Sequence, residues 1–478
     1  MKNFWKRLIA LLCATVLMGS TLAGCKDKQM VITAYDIAVQ NGFVGTEEDW
    51  LLSLQGANGK DGEDLDINDL YLAAKAEGFE GTLLDFIYSL SVDVQESNDT
   101  KVIAKNLTSV VSITCAFIQT KEVGNYWNKH EEKTVTGAEG SGVVVELEKN
   151  RGVAYIVTNY HVVYDVNSDT GISKHIWIYP YGARDTFTGG DINNGIEPGD
   201  AEGGDGIRAT FVGGAMDYDI AILKVTSTKL LSSVLTQATL GDSESVTVGE
   251  KTHVLGNAGG FGLSVTSGVL SVESEYIKMQ SADGERTVNY RVMRTDAAIN
   301  HGNSGGGLFN AQGQLIGIVN AKHVAEATDN MGYALPITVL KYAMQNIWDH
   351  QAGTKPGYIR KATLGVETYI TQSKATLKNG TLKIVEEFVV SKVPAVTSKN
   401  DVGPSTRTNF KVGDVFISMT HNGVTTQFTR QYQLDDLLLN VRKGDSVTFT
   451  VRRDSVIGKK EVQVTIVFDE DKAFIDYT

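Results

Sequence analysis

Residues 295–308 read Thr-Asp-Ala-Ala-Ile-Asn-His-Gly-Asn-Ser-Gly-Gly-Gly-Leu. Ser304 stands among glycines, between a polar turn and an apolar run. Gly302-Asn-Ser304-Gly-Gly306 satisfies Gly-x-Ser-x-Gly, the strained elbow that carries a nucleophile between a strand and a helix. That elbow demands a helix after the serine, with an acid and then a histidine further on. Here Ser304 is followed by three glycines and then by Gln314-Leu-Ile-Gly-Ile-Val, a strand pattern. The elbow reading fails, and the partners of Ser304 must be sought upstream.

Two other constellations lie there. One runs from Gly140-Ser-Gly-Val-Val-Val to Tyr155-Ile-Val-Thr-Asn-Tyr-His161-Val-Val; the other is Asp219-Ile-Ala-Ile-Leu-Lys-Val. Chemistry links the three. A serine hydroxyl is a weak nucleophile until an imidazole accepts its proton. A buried carboxylate on the other ring nitrogen holds that imidazole in one tautomer. The attacked carbonyl becomes an oxyanion that needs preorganised donors, and glycines let backbone amides turn toward it. His161, Asp219 and Ser304 are the candidate catalytic residues, with the Gly302 and Ser304 N–H groups as the oxyanion hole. Taken alone, His161 beside Val162 and Val163 reads as a core histidine. Asp219 alone reads as a strand-start turn residue with Asp217 as a rival, and 302–306 alone as a flexible turn. The order His–Asp–Ser, each beside a strand-like run, is what lifts them above those readings. From about residue 101 to 335 short β-branched runs alternate with Gly and Asn, an all-β signature.

These motifs resemble trypsin-like serine proteases of the HtrA/Deg family. The matching features are Thr-Asn-x-His-Val, Asp-Ile-Ala-x-Leu-Lys, Leu240-Gly-Asp-Ser, Gly256-Asn, Val265-Thr-Ser-Gly and Thr295-Asp-Ala-Ala-Ile-Asn. The resemblance implies a mainly β, chymotrypsin-like fold of two six-stranded barrels, with the triad in the cleft between them. Gly307 stands where the family has Pro, and His301 replaces its usual Pro or Arg. In such folds the residue six before the nucleophile lies at the base of the pocket for the side chain preceding the cut. That residue is Ala298, so the expected preference is for small or medium apolar residues, not Lys or Arg.

Pro336 opens a helix whose Val339, Leu340, Ala343, Met344, Ile347 and Trp348 share one face. After the linker 351–358, Val447/Phe449/Val451 and Val462/Val464/Ile466/Phe468 alternate as strands, and Leu434, Leu437, Leu438 and Val441 form a helix stripe. Leu364-Gly365-Val366, Val412-Gly-Asp-Val-Phe-Ile-Ser-Met and Lys443-Gly-Asp-Ser-Val resemble a PDZ domain of the kind that follows HtrA proteases. Such a domain adds a peptide as an extra strand and holds its carboxylate in a loop of amides; by position that loop is Leu364, Gly365 and Val366. A structural cap without a working groove is the alternative.

Lys2, Lys6 and Arg7 precede an apolar run, Leu8 to Met18, and small residues ending Leu22-Ala23-Gly24-Cys25. This is a secretory signal layout, and its end resembles the bacterial lipobox, which implies lipidation at Cys25. Residues 35–54 and 71–90 align without gaps at a period of 36, each copy reading as helix, Gly turn and helix. Three Gly-X-Y triplets (56–64) lie between them, too few for a triple helix.

Net charge is −13; residues 1–24 carry only three charges, all positive, so the remainder carries −13 − 3 = −16. No basic stretch offsets this, which excludes nucleic acid as the expected partner. With Cys13 in the signal and Cys25 modified, only Cys115 remains, set among apolar neighbours and read as a buried, inert thiol. The acidic stretch 185–206 lacks the EF-hand spacing for calcium and reads as a surface insertion. No cofactor or metal is expected.

The expected organisation is a signal peptide (1–24), a small helical repeat and collagen-like spacer module (25–98), a protease domain (99–350), a linker (351–358) and a PDZ-like domain (359–478). The resemblance implies an extracytoplasmic, lipid-anchored serine endopeptidase for unfolded or C-terminally exposed polypeptides, with homo-oligomers, trimers included, among its forms. A peptide-binding chaperone and a surface adhesin are the rival readings.

Overall fold

The computed structural model describes residues 39, 44–46, 67–76, 94–320, 331–378, 381–396, 402–456 and 458–478. The signal, Cys25 and most of the repeats lie outside them. The chain divides into two units, Met1–Val92 and Asp93–Thr478. In the first, Ile67–Ala76 is a helix ending shortly before Gly78. Among the described residues no helix is long and apolar enough to cross a membrane.

The second unit begins with the helix Val94–Leu107 and is then mainly β. The first eight strands are β1 (Val110–Val123), β2 (His130–Glu148), β3 (Val153–Thr158), β4 (His175–Pro180), β5 (Phe187–Thr188), β6 (Gly199–Asp200), β7 (Ile207–Ala215) and β8 (Ile220–Thr226). Six of them close a barrel in the order β1-β2-β3-β8-β7-β4, leaving β5 and β6 as a separate small hairpin. Seven more follow: β9 (Thr239–Leu240), β10 (Lys251–Gly256), β11 (Ser264–Gln280), β12 (Thr287–Thr295), β13 (Gly307–Asn310), β14 (Gln314–Asn320) and β15 (Gly332–Pro336). Their order is β13-β10-β11-β12-β15-β14, and β13–β14 pairing joins the ends, so a second six-stranded ring forms with β9 added beside β14.

The apolar runs explain this pair of barrels. Strand β8 is apolar at nearly every position because both its faces are covered. Ala221, Leu223 and Val225 fill the first barrel. Ile220 and Ile222 face a cluster shared with Val143, Val157, Leu255, Phe309 and Ile318 from both barrels. Strand β14 repeats the device, with Ile316 and Val319 inside the second barrel and Leu315 and Ile318 in the shared cluster. The helix Ile337–His350 follows Pro336 and lays Ile337, Leu340, Ala343 and Ile347 on that same cluster.

Residues 351–358 do not hang free: Gly357 accepts from Gly214 N–H at 3.0 Å and donates to Val212 at 2.9 Å, along β7. Beyond lie β16 (Ile359–Ala362), β17 (Glu367–Lys378), β18 (Thr381–Lys392), β19 (Val415–His421), β20 (Val424–Gln427), β21 (Ser446–Ser455), β22 (Gly458–Val467) and β23 (Phe474–Tyr477). They make a sheet ordered β17-β18-β19-β21-β22, with β20 on β19, and a separate β16–β23 pair. Phe388, Phe416, Phe449, Val451, Ile466 and Leu438 of the helix Tyr432–Leu438 fill its core. Much of 370–410, where the sequence offers few landmarks, is the long β17–β18 hairpin.

Candidate active site

His161 lies on one turn of helix, Tyr160–Val163, that begins directly after β3. Asp219 closes the 3-10 turn Met216–Tyr218 just before β8, in the left-handed region at φ +50°. Few residues other than glycine sit there, and this one aims its carboxylate back at His161. Ser304 lies on the loop between β12 and β13. Three distant loops therefore converge at the seam of the two barrels.

His161 Nδ1 lies 2.7 Å from Asp219 Oδ2, and His161 Nε2 lies 3.0 Å from Ser304 Oγ. The His161 backbone N–H donates to Asp219 Oδ1 at 3.0 Å. The pattern puts the ring proton on Nδ1 and leaves Nε2 to accept from the serine. Asp219 is 1% exposed and the His161 side chain 21%, so the carboxylate is dry while the ring reaches the cleft. Asp217, the rival acid, pairs instead with Arg286 at 2.9 Å.

The trypsin-like peptidase domain family matches residues 140–318, which contain all three side chains. The chain is 28% identical over 336 residues to the serine protease Do-like HtrA of Lactococcus lactis, covering 69% of this chain and 71% of that protein. It is also 28% identical over 332 residues to a probable periplasmic serine endoprotease, DegP-like, of Brucella suis, covering 69% of this chain and 52% of that one. The solved HtrA-type protease AlgW with decapeptide covers 77% of this chain and 97% of its own, at 22% identity and a TM-score of 0.43.

The chain is a serine endopeptidase.

Two residues around Asp219 escaped the sequence reading. Asn320, at the end of β14, donates through Nδ2 to Asp219 Oδ2 at 2.7 Å. Asn159 donates through Nδ2 to the Asp219 carbonyl at 3.0 Å. Asn159 stood inside the quoted Thr-Asn-x-His motif, whereas Asn320 was only a polar residue closing an apolar strand.

Gly302 has φ +90°, and a Cβ there would lie 2.0 Å from the Asn257 carbonyl oxygen, so no other residue fits. Ala298 is exposed, and its carbonyl accepts from Thr266 Oγ1 at 2.7 Å. Leu364, Gly365 and Val366 form the turn from β16 to β17. Gly365 has φ +65°, and a Cβ on it would lie 2.2 Å from the Val402 carbonyl oxygen, so this turn is packed against 402–403. Burial pushes the Cys115 thiol well above the usual range, which makes it a poor nucleophile.

Several carboxylates of 185–206 serve as acceptors for protein donors. Asp185 takes Thr114 Oγ1 at 2.7 Å, Asp191 takes Asn194 Nδ2 at 2.8 Å, and Asp200 takes Tyr179 Oη at 3.0 Å. Phe187 of the insertion also packs edge-on against Trp177 at 5.6 Å. No group of His, Cys, Asp and Glu able to hold a metal occurs among the described residues.

Proposed function

We propose that this endopeptidase acts outside the cytoplasm on unfolded or misfolded polypeptides, through Ser304, His161 and Asp219. The observation that carries the reading is the continuous relay of 2.7 Å and 3.0 Å from carboxylate to imidazole to hydroxyl. Ser304 Oγ attacks the scissile carbonyl carbon as His161 Nε2 takes its proton. The Gly302 and Ser304 N–H groups receive the oxyanion. His161 then protonates the leaving amine, and water, deprotonated by the same ring, frees the acyl group. Asp219 stays ionised and steadies the imidazolium.

The signal layout and the Brucella relative's periplasmic name support the extracytoplasmic placement, and Leu22-Ala23-Gly24-Cys25 supports a lipid anchor at Cys25. The sheet of β17–β22 with its helix supports a PDZ-like unit that presents polypeptide ends, with Leu364, Gly365 and Val366 as its carboxylate loop.

The test uses the chain from residue 26 with an unfolded protein as substrate. Cleavage and fluorophosphonate labelling are expected, and Ser304→Ala should lose both. Unimpaired cleavage by Ser304→Ala would refute the assignment, and a parent that neither labels nor cleaves but retains unfolded protein would leave a binder.

A further inference from the structure

Gly302 has the freest backbone in the proposed oxyanion hole, yet both peptide planes flanking it are tied. The His301 carbonyl accepts from Gly259 N–H at 2.7 Å. The Gly302 carbonyl accepts from Ser141 Oγ at 2.6 Å. Ser141 lies on β2, in the opposite barrel, and is completely buried. Its Oγ also accepts from Asn257 N–H at 2.8 Å, so the hydroxyl proton is committed to Gly302. Its own N–H donates to the Ser304 carbonyl at 2.8 Å. Its carbonyl in turn accepts from the buried Thr158 Oγ1 at 2.7 Å.

One residue of the first barrel therefore grips both residues whose amides would receive the oxyanion. Donors that stabilise a transition state must be aimed before the reaction, because reorienting them during it costs the energy they would supply. A glycine at φ +90° cannot hold its own orientation. With the His301 carbonyl turned to Gly259 and the Gly302 carbonyl turned to Ser141, the N–H between them is fixed in direction.

We propose that Ser141 is a positioning residue, whose hydroxyl latches the Gly302–Asn303 peptide and thereby aims the oxyanion donors from across the barrel seam. The proposal rests on the assignment of Ser304 as nucleophile and Gly302 as donor. Removing the hydroxyl frees the Gly302–Asn303 peptide, leaves the Gly302 N–H held from the His301 side alone, and leaves the Asn257 N–H buried without its acceptor.

The experiment compares the parent, Ser141→Ala and Ser141→Thr in the chain from residue 26. It measures kcat and KM on a chromogenic peptide, inhibition by a peptide aldehyde of the same sequence, and thermal melting. The aldehyde's adduct oxygen sits where the oxyanion forms. Ser141→Ala should lower kcat by roughly 10–100-fold, less than the 10²–10³ lost when a donor is deleted outright. KM should hold within about twofold, and the aldehyde's inhibition constant should rise in step with the fall in kcat/KM, the mark of an interaction made in the transition state. Ser141→Thr, which keeps the hydroxyl, should recover most of kcat. A folded Ser141→Ala with parental kcat overturns the proposal. So does a loss confined to KM or to melting while aldehyde binding is unchanged, or a Ser141→Thr that melts like the parent yet is as slow as Ser141→Ala. Ser304→Ala keeps the two readings apart. If it still cleaves, the nucleophile assignment falls; if it is dead while Ser141→Ala is unaffected, only the latch falls.

Discussion

At the scale of single residues, the site is decided by what surrounds Asp219. Its carboxylate accepts from the His161 backbone, the His161 ring and Asn320 Nδ2. Three donors let a carboxylate remain charged in a buried place. Asn320→Ala should remove one of them and cost about 1–3 kcal/mol of stabilisation at that carboxylate, read as slower fluorophosphonate labelling in a protein that still melts cooperatively. Asn320→Asp should behave differently with pH. Protonated, the introduced carboxyl can donate as the amide does; ionised, it sets a like charge against Asp219. The ratio of variant to parent rate should therefore fall as pH rises from 5 to 8, and a flat ratio would show that Asn320 only fills space. Asp219 was legible in the chain through its Asp-Ile-Ala-x-Leu-Lys motif, with Asp217 as a rival, whereas Asn320 was not. Its role depends on where β14 places its end in space, and spacing along the sequence does not carry that.

At the scale of elements, the apolar runs were readable because their physics is local. Ile220 to Val225 had to be a strand buried on two faces, and Val447, Phe449 and Val451 had to alternate. The β17–β18 hairpin was opaque for the opposite reason: Tyr369, Leu377, Leu382 and Ile384 are exposed and its buried residues are confined to Phe388, Val389 and Val390, too short a run to imprint a period on it. The segment 296–300 is where the proposed specificity would be set. Ala298 and Asp296 sit two apart before the loop that carries Ser304, so an acid stands close to the expected pocket. Asp296 Oδ1, however, takes the Val269 N–H at 2.6 Å on β11, which turns its charge onto the sheet. The pocket at Ala298 should then favour Val over Arg before the cut. Paired peptides differing at that one position, compared by kcat/KM, check this, and faster cleavage after Arg would refute it.

Across the molecule, the protease barrels and the C-terminal sheet belong to one unit, and charged groups line the surface between them. Arg291 of β12 pairs with Asp436 of the helix Tyr432–Leu438 and with Glu244 at 2.6 Å, and its guanidinium lies 3.6 Å over the Tyr432 ring. Arg430 reaches Glu273 at 3.1 Å, and Arg442 reaches Asp349 at 2.8 Å. Beside them is a cavity of about 610 Å³ lined by Asp217, Tyr276, Lys361 and Tyr477 among others. Burial pushes the Asp436 carboxyl up to about 7, with Arg291 working against that rise. A carboxyl held higher in the folded than in the unfolded chain binds protons on folding. Its contribution to stability is therefore greatest at low pH and falls as pH rises toward 7. Arg291→Met would strip the counter-charge and raise that carboxyl further, so the charged form becomes harder to keep. The loss should reach about 3–5 kcal/mol, as for other buried pairs broken on one side. It should be larger at pH 8, where the parent's carboxyl is ionised, than at pH 6, where both proteins hold it neutral. Arg151→Met, at an exposed pair with Glu148, should cost about 0–1 kcal/mol at either pH. Urea unfolding of the three proteins at the two pH values measures all four differences. Because Arg291 lies on the strand whose end, Thr295, leads into the loop that carries Ser304, Arg291→Met should also slow labelling at Ser304. A variant destabilised as expected but labelled at the parental rate would show that the C-terminal sheet supports the fold without steadying the active-site loop.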